Sequence, residues 1–286
     1  MKLIKYFIQF VFIIILFFLF KILRFKLSSF LGGKIFEIIG PIFRSEKLIH
    51  ANIKRALPKI NPEQLNYITQ KMWNNYGRIF AEYMFVENFR NNKLNSNIVV
   101  NGQEILDEIK KQNKSVVFVS GHFSNFELMV MHIEKSGIKL CGIYRPLNNF
   151  FLNGLMEKIR KKYICKNPIK KGIWRLKEII NLQKKNYSTI VMIDQRLSEG
   201  VKSKFFNQDA LTTTIPAQMV KKFKLEVVPI FIERFDNINF KITIHKPIKF
   251  LNEFSVKEIT DELNIILEKM ILQKPEQWIW SHNRWK

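Results

Sequence analysis

The run Ser120-Gly121-His122-Phe123-Ser124-Asn125-Phe126-Glu127 sets an imidazole and a carboxylate five residues apart. On one continuous helix five residues turn through about 500°, leaving the two side chains roughly 140° apart around the axis. They converge only if His122 sits in a turn between an apolar strand and a helix, with Glu127 in the first helical turn. A carboxylate there is held ionised by the helix N-terminus and can accept the imidazole Nδ1–H. Nε2 is then free to take a proton from a hydroxyl nucleophile. The same residues also spell a capping box, Ser124 with Glu127, in which His122 is only a turn residue. The local pattern leaves both readings open.

Other chemistries find no footing. No G-x-x-x-x-G-K-[ST] or G-x-G-x-x-G run cradles a phosphate or dinucleotide, and no G-x-S-x-G elbow presents a serine. H-E-x-x-H and paired C-x-x-C are missing, and His50, His122, His132, His245 and His282 are scattered, so no metal is expected. Cys165, in a lysine-rich setting, is the one candidate for an activated thiolate, and a lone cysteine in such a chain is usually inert.

The chain holds 47 basic and 24 acidic residues, a net charge of +23. Residues 1–60 carry 11 basic against 2 acidic residues, and residues 156–186 repeat that count. Dense clusters, more than an even surplus, capture anions such as a nucleic acid, a membrane surface or a phosphorylated substrate. The absence of a recognition-helix or stacking signature argues against nucleic acid.

Tyr6 to Phe20 is apolar apart from Gln9 and is bracketed by Lys5 and Lys21. Extended by Leu3, Ile4, Ile22 and Leu23, it reaches the roughly 30 Å of a hydrocarbon core if the two lysines snorkel. The following Phe25-Lys-Leu-Ser-Ser-Phe-Leu-Gly-Gly offers no A-x-A-like cleavage site, which favours an uncleaved anchor over a signal peptide. Basic residues persist from Lys21 to Lys59, and the positive-inside rule then puts the body in the cytoplasm.

Positioning elements follow. Ser28 to Glu87 reads as helical, with Asn61-Pro62-Glu63-Gln64 starting one helix. Val116–Ser120, Leu140–Tyr144, Thr189–Ile193 and Val227–Ile232 read as buried strands, and Phe240–His245 as an edge strand. Helices are expected to begin near Ser124, Phe151, Ile173, Ala217 and Val256. The fold class is therefore α/β, a mixed, largely parallel sheet flanked by helices behind an N-terminal transmembrane helix and helical layer. The expected division is an anchor, 1–26, and a catalytic domain, 27–286, with a helical layer at 27–95 and an α/β part at 96–286.

Several short motifs in one order then give a specific match. They are Asn52-Ile-Lys-Arg-Ala-Leu-Pro58, Gly121-His-Phe-Ser-Asn-Phe-Glu127 and Ile143-Tyr-Arg-Pro-Leu-Asn-Asn149, then Asp194-Gln-Arg196, Phe205-Phe206 and Thr212-Thr-Thr214 with Pro216. Val228-Pro229 and the closing Pro275-Glu-Gln-Trp-Ile-Trp-Ser-His-Asn-Arg-Trp-Lys286 complete them. From about Ile35 onwards the chain resembles the late acyltransferases of lipid A biosynthesis, the lauroyl/myristoyl type within the H-x₄-[DE] acyltransferases. The resemblance implies a glycerolipid acyltransferase-like fold anchored in the bacterial inner membrane. It also implies acyl transfer from acyl carrier protein to a hydroxyl of a Kdo-bearing lipid A precursor, with no cofactor. Acylation of a glycerophospholipid or another glycolipid is the alternative. Asn207 and Ile215 stand where the family usually has Gly, which bears on loop geometry.

On this reading His122 is the general base and Glu127 its orienting carboxylate. Arg145, Asp194, Gln195 and Arg284 are the expected substrate-binding residues. Arg145 binds an acceptor phosphate or the thioester oxyanion, and Asp194 positions substrate or an arginine. The lysines of 156–186 meet the acidic carrier protein or lipid phosphates. Trp278, Trp280 and Trp285 form either an interfacial belt or core. An acyl tunnel lined with Phe and ending at His122 would separate either acyltransferase reading from a basic binding or scaffolding protein with no chemistry.

Overall fold

The computed structural model describes residues 2–170 and 176–286. Helix α1 (Lys2–Ile22) is long and apolar enough to cross a membrane, with a mean hydropathy of 2.6 over its best window. A short turn leads to α2 (Phe25–Phe43), α3 (Glu46–Ala56), α4 (Pro62–Glu82) and α5 (Val86–Arg90). The start of α4 obeys its sequence: Asn61 Oδ1 accepts the Gln64 N–H at 2.8 Å, and Pro62 fills the first turn. Helices α2 and α4 touch backbone to backbone, since a Cβ on Gly77 would lie 1.9 Å from the Gly32 carbonyl oxygen. Only glycine permits that approach.

The α/β part runs β1 (Ile98–Asn101), α6 (Gln103–Lys111), β2 (Val117–Ser120), α7 (Phe126–Lys135), β3 (Leu140–Tyr144), α8 (Phe150–Ile159) and β4 (Asn167–Lys170). It continues through α9 (Leu176–Gln183), β5 (Ser188–Met192), the hairpin β6 (Val201–Phe205) and β7 (Gln208–Thr212), and α10 (Ile215–Phe223). It ends with β8 (Val227–Phe235), β9 (Asn239–Ile244) and α11 (Val256–Gln273). The main sheet has the order β1-β9-β8-β2-β5-β3-β4, parallel throughout except between β8 and β9. Its central strands are buried on both faces, which is why they read as unbroken apolar runs.

Several expectations shift. Strand β9 is not at the edge: the four-residue β1 pairs beyond it, Ile98 opposite Phe240, and its alternation reflects one half-buried face. Strand β4 hides in the lysine-rich run because only Ile169 of its residues is buried. The β6–β7 hairpin turns on Phe206 and Asn207, both at positive φ, and Asn tolerates that conformation where a Gly was expected. Helix α7 begins at Phe126 rather than Ser124, because Ser124 itself lies at φ 40°. The helix start expected near Ile173 lies outside the described residues. Trp278 and Trp280 are core residues and Trp285 stacks on Phe205, so the interfacial belt does not form.

Candidate active site

Strand register brings the first two groups together. Ser120 of β2 pairs with Met192 of β5 in parallel, so the residues two beyond each, His122 and Asp194, emerge side by side from the sheet. Strand β3, the other neighbour of β5, delivers Arg145 to the same C-terminal edge, where open α/β sheets bind their ligands.

The expected partner of His122 is corrected here. Its Nδ1 lies 2.8 Å from Asp194 Oδ1, and its backbone N–H donates to Asp194 Oδ2 at 2.8 Å. The indole N–H of Trp278 donates to the same Oδ2 at 2.9 Å. Glu127 does not accept from Nδ1. Burial alone would raise the Asp194 pKa, yet the His122 charge and these hydrogen bonds outweigh it and hold the carboxyl below its ordinary value. Burial likewise opposes a charged imidazole, but Asp194 outweighs it and the His122 pKa is raised. With Nδ1 engaged, Nε2 is the ring nitrogen left for a substrate proton.

Glu127 pairs instead with Arg160, whose Nε and Nη2 both lie 2.8 Å from Glu127 Oε1. Arg160 opens the π-helical turn Arg160–Ile164 that continues α8, and its guanidinium stands over the Tyr144 ring. Such turns recur at functional sites because they redirect side chains out of helical register. The capping box is not realised either: Ser124 Oγ has no hydrogen-bond partner among the described residues, and α7 has no side-chain cap.

The strained turn between His122 and Glu127 is braced from outside. The Ser124 N–H donates to the Gln277 carbonyl at 3.0 Å, and Asn125 Nδ2 donates to Glu82 Oε2 at 2.9 Å. Glu82, fully buried on α4, also receives both terminal nitrogens of Arg234 and the Ser29 hydroxyl of α2. The helical layer thus fixes the turn that carries the imidazole.

A cavity of about 440 Å³ opens over this edge. His122, Glu127, Arg145, Arg160 and Gln195 line it, and Arg44 from the end of α2 joins them. Its apolar wall is mostly aliphatic, including Val130, Ile143, Ile164 and Ile190, with Phe126 as its one phenylalanine among the described residues. Asp194 stands fully buried behind His122 and outside that lining. Arg284 is corrected: fully buried, it donates to the Leu211 carbonyl and to Thr212 Oγ1 and so ties down the hairpin. Burial lowers its pKa to about 10. Cys165 is no thiolate, since burial pushes its pKa up to about 12. Lys158, Lys161, Lys162 and Lys166 are exposed, Lys170 pairs with Glu157 at 3.0 Å, and Lys171 lies outside the described residues. Among the described residues no His, Cys, Asp or Glu side chains cluster to hold a metal ion.

Sequence reasoning missed Arg160, Arg44 and Trp278 as parts of this site. Arg160 carried only its place in a basic run, and no spacing rule links a residue 38 positions beyond His122 to the turn.

The chain is 22% identical over 277 residues to the lipid A biosynthesis palmitoleoyltransferase of Escherichia coli K12, covering 92% of this chain and 86% of that protein. It is 23% identical over 255 residues to the lauroyltransferase of the same organism, covering 85% of this chain and 79% of that protein. The model of the family described as bacterial lipid A biosynthesis acyltransferase matches residues 1–286 in full, and the chain belongs to that family.

Proposed function

We propose that the protein transfers a fatty acyl group from acyl carrier protein to a hydroxyl of a Kdo-bearing lipid A precursor. The observation that carries this reading is the His122 Nδ1–Asp194 pair, 2.8 Å long, at the wall of a cavity with an aliphatic side and an arginine-bearing rim. A hydroxyl is too weakly acidic to attack a thioester unaided, so His122 Nε2 removes its proton as the oxygen attacks the carbonyl. Asp194 keeps the proton on Nδ1 and stabilises the imidazolium. Arg160 lends positive charge to the tetrahedral oxyanion, and Glu127 acts by holding Arg160 in place. Collapse breaks the C–S bond, and the imidazolium returns its proton to the departing thiolate. Gln195, on the cavity wall, contacts substrate. These roles need no cofactor.

Helix α1 holds the protein at the bacterial inner membrane, with the catalytic part on the cytoplasmic side, a reading supported by the basic residues that follow it. The exposed lysines beyond α8 suit the acidic carrier protein. Mass spectrometry of lipid A from cells with and without the gene tests the function. Loss of one acyl chain from lipid A is expected, and an unchanged lipid A with an altered phospholipid or glycolipid would replace this reading by the alternative.

A further inference from the structure

Helix α2 is built inside out. Its buried face consists of small residues, Ser28, Ser29, Gly32, Gly33 and Gly40, with Phe25 at its start. Its exposed residues include Lys26 and Lys34 in the first half and Leu27, Phe30, Ile38, Ile42 and Phe43 along its length, with Ile38 77% and Ile42 80% exposed and the last turns free of charge. A helix on the surface of a soluble protein shows the reverse order. Small residues inward and large apolar residues outward is how a helix packs when its outer face meets lipid.

Two further observations identify the covering phase. The Asn149 side chain donates to the Tyr6 carbonyl at 2.8 Å, and Phe151 packs against Phe7 and Phe10, so the first half of α1 is strapped to the segment entering α8. That segment also exposes Leu147 and Phe150, and Leu147 and Arg145 share the cavity mouth with Arg44. At its other end α1 is held by Lys21 on the Met84 carbonyl and by Phe17 and Phe20 on Phe80. The two sets of contacts lie some fifteen residues, or roughly 22 Å, apart along the helix. Helix α1 thus lies against the body at both ends, and an α1 seated along the cytoplasmic face of the bilayer brings the cavity mouth to that face.

We propose that Ile38, Ile42 and Phe43 of α2, with Leu147 and Phe150, form a lip that dips into the bilayer around the cavity mouth, and that Arg44 and Arg145 on this lip capture the phosphate of a lipid entering sideways. Both arginines are exposed, and neither has an ion-pair partner among the described residues. An apolar collar with a guanidinium adjoining each of its two segments matches the boundary between acyl chains and phosphate headgroups. This deepens the proposed function by giving the acceptor its route and its anchoring group.

The test uses the full-length protein in vesicles, with a fluorophore on Ile42→Cys or Phe150→Cys and, as control, on Glu253→Cys. Glu253 lies near the Val227–Ile248 bridge, at the start of β8 and thus the opposite end of the sheet. Native Cys141 and Cys165 are buried and stay unlabelled. Nitroxide-bearing lipids are expected to quench positions 42 and 150 several-fold more than position 253. Equal quenching at all three overturns the lip, whether or not the enzyme transfers acyl groups. Disulfide cross-linking between two Ile42→Cys chains without lipid quenching would assign the face to a second copy and also overturn it. A second measurement addresses the headgroup: Arg44→Gln is expected to raise KM about tenfold for a phosphorylated acceptor and to lose that effect on its dephosphorylated form. An equal KM change on both acceptors would refute phosphate capture. Quenching as expected in the labelled variants, beside an unlabelled wild-type protein with no acyl transfer, would leave the lip standing and remove the proposed function.

Discussion

Replacing Asp194 by Asn changes almost nothing in shape and should change most of the chemistry. Two N–H donors, the His122 backbone and Trp278, converge on Oδ2, whereas Oδ1 faces only His122 Nδ1. An amide in this place turns its oxygen to the two donors and its NH₂ to Nδ1. Nδ1 must then accept a hydrogen bond, which drives the ring proton to Nε2, the atom that has to receive a proton from substrate. The variant thus loses the general base, a contribution of about 10²–10⁴ in kcat, or roughly 3–5.5 kcal/mol of barrier. The pH profile should move too. Burial lowers the His122 pKa and Asp194 more than reverses this, so in wild type the acid limb of activity lies above the ordinary 6.5. Without the carboxylate, burial prevails and the residual activity has its acid limb below 6.5. Stability follows the same pair. The lowered Asp194 pKa stabilises the fold above about 3.8 and loses that effect as pH falls through the folded value. The raised His122 pKa stabilises below 6.5 and loses its effect as pH rises through the folded value. The pair is worth most between those limits, and Asp194→Asn should flatten that maximum. The assay is the rate of acyl transfer from pH 5 to 9, beside urea denaturation at each pH. A variant within a few-fold of wild type, with an unmoved acid limb, would refute the reasoning.

Glu127→Gln loosens Arg160 rather than His122, so it should cost up to the roughly 10²–10³-fold in kcat that loss of one oxyanion-stabilising donor does, yet shift the acid limb far less than Asp194→Asn; pH–rate profiles of the two variants compare them directly. Glu82→Ala leaves the Arg234 guanidinium buried and unpaired, so a loss of about 3–5 kcal/mol by urea denaturation is expected, with Glu82→Gln milder. Reversing Lys161, Lys162 and Lys166 to Glu should raise KM for the acyl carrier protein several-fold at low salt, an effect that fades as ionic strength rises; steady-state kinetics across a salt series shows whether it does.

The central strands, the helical N-terminal layer and the cap at Asn61 were legible because local rules decide them: unbroken apolar runs for strands buried on both faces, and a side-chain acceptor ahead of Pro62. His122 was legible from its neighbours in the chain. Its partner was not, because the Asp194 contact depends on the register of β2 against β5, a long-range property with no signature in either segment. The short spacing made Glu127 the natural candidate, but Arg160, 33 residues further on, is the group it meets. Arg284, expected to bind substrate, misled for a similar reason: only the packing of the β6–β7 hairpin shows that its guanidinium is spent on Leu211 and Thr212.

The most direct test of the proposed function combines purified full-length protein in vesicles, acyl-loaded carrier protein and a Kdo-bearing lipid A precursor, with the product mass read for wild type and His122→Ala. Wild type is expected to add the mass of one fatty acid less one water and to release free carrier thiol, while His122→Ala falls by about 10²–10⁴ in rate. A His122→Ala protein that transfers at the wild-type rate, or a wild type that leaves the precursor unchanged, would contradict the account.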